Sequence, residues 1–124
     1  MKLEFESSRS IYLQISENIE NDILNGVLAE GDQVPSTNQM AALFRINPAT
    51  AAKGISMLVD EGIIHKKRGI GMFVSEGAAV RIRDKRKTAF RADFVVPLLE
   101  EAASLGISGA ELAVMIAGTE DKRT

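Results

Sequence analysis

The chain has 124 residues, no cysteine and a formal charge of −2. That length allows one domain, or one small domain with an appendage, and the missing thiols exclude a disulfide framework and a Cys-based metal site. No N-terminal apolar run follows a basic start and no apolar stretch approaches the ~18 residues of a membrane span, so a cytoplasmic location with no membrane partner is expected.

A small negative total argues against nucleic acid, but its distribution argues the other way. Residues 65–91 hold nine of the fifteen Lys and Arg and two acids, Glu76 and Asp84, whereas residues 1–32 hold seven acids and two basic residues. A DNA partner responds to a local positive surface rather than to the sum. The basic run 81–87, taken alone, fits a solvated helix face equally well.

Residues 1–9 are polar and read as a loose arm. A first helix is expected over residues 10–25, where Ile11, Ile15, Ile19 and Ile23 recur every fourth position and Gly26 stops the run. Tyr12, beside this stripe, reads as a boundary position of the core. Gly31-Asp32 signals a turn, followed by a very short strand at Gln33 and Val34.

Two short helices follow, at residues 36–44 and 47–61. Ser36 with Gln39 three positions on forms a capping box, in which each side chain satisfies the other residue's backbone amide. Asn47-Pro48 opens the second helix: Asn caps an orphan amide, and Pro suits the first position, where its missing N–H is not needed. Gly62 ends it. Two capped helices joined only by Arg45 and Ile46 cannot lie side by side; they must cross, as in a helix-turn-helix. In the second, Ala51, Ile55 and Leu58 share the buried face. The opposite face carries Ala49, Lys53, Ser56 and Asp60, flanked by Thr50 and Met57. Small side chains let such a helix sink into a major groove about 12 Å wide, while Lys53, Thr50 and Asn47 can bond base edges or phosphates.

Residues 63–74 then read as a hairpin in which Lys66, Lys67 and Arg68 lead into a Gly69-Ile70-Gly71 tip. Tip glycines beside cations suit phosphate or minor-groove contact. A nucleotide loop fails as an alternative, because no helix starts after Gly71 and a third glycine is absent. His65, the only histidine, has no second ligand nearby and reads as an ordinary hairpin residue. No acid–base or nucleophile constellation is present, so neither catalysis nor a cofactor is expected, although an unknown small-molecule effector remains compatible.

A second unit is expected over residues 77–124. Residues 81–103 read as one long helix with an apolar stripe of Phe90, Phe94, Val95, Leu98, Leu99 and Ala102, bent near Asp93 and Phe94 by Pro97. Ser108 with Glu111 forms another capping box, opening a helix with Leu112, Met115 and Ile116 apolar; Gly118 is expected to end it, with residues 119–124 fraying. Two helices cannot bury two such stripes alone. A symmetric dimer through Phe90, Phe94, Leu98, Leu112, Met115 and Ile116 is therefore expected, and its interface is where an effector would sit.

The run Val34-Pro35-Ser36 with Met40-Ala41, then Ile46-Asn47-Pro48 with Thr50 and Lys53, then Leu58 with Glu61-Gly62-Ile63-Ile64, then Arg68-Gly69 with Gly71 and Phe73-Val74, resembles the GntR family of bacterial transcription regulators. The short C-terminal tail resembles its YtrA-like subgroup. The resemblance implies a mainly α fold with a small β-wing: a winged helix-turn-helix over residues 1–76 that binds operator DNA as a homodimer, through a dimerisation region at 77–124. It places Ser36, Asn38, Asn47, Ala49, Thr50, Lys53, Lys67, Arg68, Gly69 and Gly71 at the DNA. Where the family commonly carries Arg, this chain has Asn38, and Ala49 and Ala51 are smaller than usual, which shifts expected affinity toward the wing. A winged helix serving only as a protein-interaction module is the alternative that Asn38 favours.

Overall fold

A computed structural model describes residues 9–123. Apart from Arg9, the arm read at residues 1–9 lies outside the described residues. Contacts divide the chain into two units, Met1–Asp84 and Lys85–Thr124.

The first unit is built from α1 (Ile11–Leu24), β1 (Gln33–Val34), α2 (Thr37–Phe44), α3 (Pro48–Asp60), β2 (Ile64–Lys67), β3 (Gly71–Val74) and the opening of α4 (Ala78–Phe90). The fourfold isoleucine spacing of α1 puts Ile15, Ile19 and Ile23 into one core with Met40 of α2, Ala51, Ile55 and Leu58 of α3, and Val34, Ile64 and Val74 of the strands. Burial of this stripe, rather than intrinsic propensity, holds helices this short.

The strands form an antiparallel sheet in the order β1-β3-β2. Ile64 pairs with Val74, His65 with Phe73 and Lys67 with Gly71 across the hairpin, while Gln33 pairs with Phe73 on its other side. Side chains alternate between faces along a strand. Ile64 and Val74 therefore enter the core together, and His65, Lys67 and Phe73 share the outer face.

The second helical stretch begins earlier than the expected residue 81. Ala78 and Ile82 are fully buried in the first core, and the first unit extends through Asp84. Small Ala78 and Ala79 gave no stripe to read, yet a small residue is what the core admits there.

In the second unit the helix widens into a single π turn, Arg91–Val95, before continuing as α5 (Val96–Ser104). Pro97 has no N–H to give the residue-93 carbonyl, so the ladder re-forms with a wider loop, a common local answer to a missing donor. The last helix, α6 (Gly109–Arg123), opens with the Glu111 amide donating to Ser108 Oγ at 3.1 Å. It runs straight through Gly118, contrary to the stop expected there. An interior Gly costs only about 1 kcal/mol relative to Ala, and the following Thr119 donates back to the Met115 carbonyl at 2.8 Å.

Candidate nucleic-acid interface

Both caps form at the helix-turn-helix. Ser36 Oγ accepts from the Gln39 amide at 3.1 Å, and Gln39 Oε1 accepts from the Ser36 amide at 2.8 Å. Asn47 Oδ1 accepts from the Ala49 amide at 2.8 Å, which spends its acceptor on the cap and leaves its amide hydrogens to donate outward. Between the helices Arg45 takes a left-handed conformation, with φ 54° and ψ 48°. That is uncommon for a side-chain-bearing residue, and it turns the chain from α2 into α3 within two residues.

The helical wheel of α3 falls as its spacing requires. Ala51, Gly54, Ile55 and Leu58 are buried, Ala49, Lys53 and Ser56 are exposed, and Thr50 is intermediate. Asn38 on α2 is exposed as well. An outward edge of small side chains with one long cation, opened by capped amides at the positive end of the helix dipole, can enter a major groove and donate to acceptors there.

Gly54 sets how α3 is supported from behind. A Cβ at this position would meet the Tyr12 carbonyl oxygen at 2.7 Å and the Ile15 side chain at 3.2 Å. Bare backbone lets α1 and α3 approach that closely, and Ser16 Oγ donates to the Gly54 carbonyl at 2.6 Å within the seam. The same approach brings the Tyr12 ring beneath Lys53, whose Nζ lies 4.0 Å from the ring centroid. By its spacing alone Tyr12 reads as a boundary position of the core, and Gly54 carries no assigned role. A glycine inside an amphipathic helix, on its apolar face, was the available signal.

The hairpin presents Lys66, Lys67, Arg68, Gly69 and Ile70, all exposed. Gly71, at φ 145°, occupies backbone space that side-chain-bearing residues rarely enter. A Cβ there would also press on Gln33 Nε2 at 2.5 Å. That Gln33 amide donates to the Ile70 carbonyl at 3.1 Å, tying the tip to β1. Lys67 Nζ sits 4.4 Å from the centroid of the Phe73 ring. The ring of His65 stacks on Phe73 at 6.3 Å, with Nδ1 3.0 Å from Ser75 Oγ. In the sequence Gln33 reads only as strand; its part in holding the tip depends on pairing across the sheet.

The second unit buries little of itself. Among its described residues only Ala102 and Leu112 are buried, while Phe90, Phe94, Leu98, Met115 and Ile116 stay exposed. Phe90 and Phe94 pack on each other at 5.5 Å between centroids. Leu98, Leu112, Met115 and Ile116, with Thr119 and Glu120, line an apolar groove of about 530 Å³.

A helix-turn-helix whose second helix shows one small-sided edge outward, followed by a basic hairpin, is a winged helix-turn-helix, a DNA-binding module. Residues 11–74 match the model of the bacterial regulatory proteins of the gntR family. The chain belongs to the GntR family, and it is a DNA-binding transcriptional regulator rather than an enzyme. It is 31% identical over 112 residues to the uncharacterized HTH-type transcriptional regulator YhcF of Bacillus subtilis (strain 168), covering 90% of this chain and 91% of YhcF. It is 32% identical over 91 residues to the HTH-type transcriptional repressor YtrA of the same organism, covering 73% of this chain and 70% of YtrA. A crystal structure of a GntR-family protein from Bacteroides thetaiotaomicron superimposes with a TM-score of 0.79 at 33% identity, covering 92% of this chain and 99% of that one. No single helix among the described residues is long and apolar enough to cross a membrane.

Proposed function

We propose that the protein is a cytoplasmic repressor that binds a palindromic operator as a homodimer. The observation that carries this reading is the edge of α3, where Ala49, Lys53 and Ser56 all stand exposed behind the Asn47 cap. Asn47, Thr50 and Lys53 donate to base edges or phosphates, and Ala49 gives the helix clearance in the groove. Ser36 and Asn38 meet the backbone at the start of α2. Lys67, Arg68, Gly69 and Gly71 bring the wing to the adjoining minor groove.

The homodimer is supported by the unburied faces of the second unit. Phe94 is 64% exposed, and Met115 and Ile116 are each 51% exposed. Contiguous apolar surface of this kind marks an interaction face. A second copy, related by twofold symmetry, covers the same patch on both partners. The repressing sign is supported by YtrA, which is named a repressor.

Selection of bound duplexes from a random library tests the proposal. The expected product is a palindrome whose half-sites lie about 10–10.5 base pairs apart, centre to centre, or a multiple of that. Enrichment of single half-sites would remove the dimer, and no enrichment would remove specific DNA binding.

A further inference from the structure

We propose that Tyr12 is a positioning residue of the DNA interface: its ring holds the Lys53 ammonium at the exposed edge of α3. This inference rests on the DNA-binding reading above and goes beyond it, because Tyr12 lies on α1, outside the helix-turn-helix.

Four observations meet at this point. Lys53 Nζ lies 4.0 Å from the Tyr12 ring centroid, well within the range of a cation–π contact. The side chain of Lys53 is exposed, and among the described residues its ammonium contacts no carboxylate. Tyr12 is itself only half-buried. The seam behind it is close-packed, since Gly54 admits no Cβ against the Tyr12 carbonyl and Ser16 is bonded to Gly54 across it.

A lysine bears more rotamer freedom than almost any other side chain, and that freedom is lost when it contacts DNA. A carboxylate partner would fix the side chain but cancel its charge. An aromatic face fixes it without cancelling the charge and without accepting any of its N–H hydrogens. The Lys53 ammonium therefore reaches the groove already ordered, with its donors intact, which is preorganisation in the ordinary sense. Phe73 and Lys67 repeat the arrangement on the wing at 4.4 Å, so the recognition helix and the hairpin each carry one ring-seated lysine.

The test uses the whole chain. Two-dimensional proton–carbon NMR of the DNA-free protein reads the Lys53 ε-methylene, expected upfield in wild type and in Tyr12→Phe, and near the solvated lysine position in Tyr12→Leu. The duplex enriched from a random library then gives affinities. Tyr12→Leu is expected to weaken binding by about 2- to 5-fold, the size of an exposed cation–π contact at ~1.4 kcal/mol per tenfold. Tyr12→Phe is expected to keep wild-type affinity, and in a Lys53→Met background Tyr12→Leu is expected to add nothing. An unshifted Lys53 signal in wild type, a Tyr12→Phe loss as large as that of Tyr12→Leu, or additive losses with Lys53→Met would each overturn the inference and leave DNA binding standing. Failure to enrich any duplex would overturn the DNA-binding reading, and this inference with it.

Discussion

Replacing Gly54 by Ala sets two opposed effects against each other within one residue. Alanine gains about 1 kcal/mol of helix propensity over glycine. Against that, the added Cβ would stand 2.7 Å from the Tyr12 carbonyl oxygen and 3.2 Å from Ile15. The first neighbour is backbone of a packed helix and cannot swing away. Overpacking of this kind costs about 1–3 kcal/mol, and displacing α1 also strains the 2.6 Å bond from Ser16 to the Gly54 carbonyl, worth roughly 1 kcal/mol. The clash wins, and Gly54→Ala is expected to destabilise by about 1–3 kcal/mol. For a folding unit of this size that lowers the thermal midpoint by roughly 4–24 °C. The assay is thermal unfolding followed by circular dichroism at one fixed protein concentration, because association also moves the midpoint. Gly118→Ala is the control, since nothing lies within 4 Å of a Cβ there; the same propensity gain acts alone and the midpoint is expected to rise. A Gly54→Ala midpoint at or above wild type would refute the close α1–α3 approach.

The caps predict a graded loss: Asn47→Ala removes the 2.8 Å bond to the Ala49 amide and is expected to lower stability by about 0.5–2 kcal/mol in urea unfolding, whereas Asn47→Asp is expected to retain it. Gln33→Ala releases the Ile70 carbonyl, so faster amide exchange at the wing tip is expected with little change in the core. Met115→Asp places a charge on the exposed apolar groove, and sedimentation is expected to show a shift from dimer to monomer. If Lys66, Lys67 and Arg68 of both subunits each neutralise one phosphate, the logarithm of affinity is expected to fall with log salt at a slope of about −5; a flat response would contradict phosphate contact.

Much of the interface was legible because it follows local rules. Ser36 with Gln39 and Asn47 with Pro48 announce their caps in neighbouring letters, and the structure makes both bonds. The outward edge of α3 follows from helical periodicity once Ala51, Ile55 and Leu58 are assigned to the core. What stayed hidden depends on partners distant in sequence. Gly54 reads as a poor helix former until the Tyr12 carbonyl lies against it. The Lys53–Tyr12 contact joins elements that only the folded core brings together. The early start of α4 was missed because Ala78 is valuable to the core for being small, and smallness leaves no hydrophobic stripe. Gly118 misled in the other direction, since a lone helix glycine is tolerated where the flanking residues favour helix.

Whether the outward edge of α3 reads DNA sequence is measured most directly by the ratio of affinities for the enriched duplex and a scrambled one, in wild type and in Lys53→Ala. The predicted result is a ratio that falls by about 5- to 150-fold when Lys53 is removed, the worth of one specific side-chain contact. An unchanged ratio, with both duplexes bound as before, would contradict it.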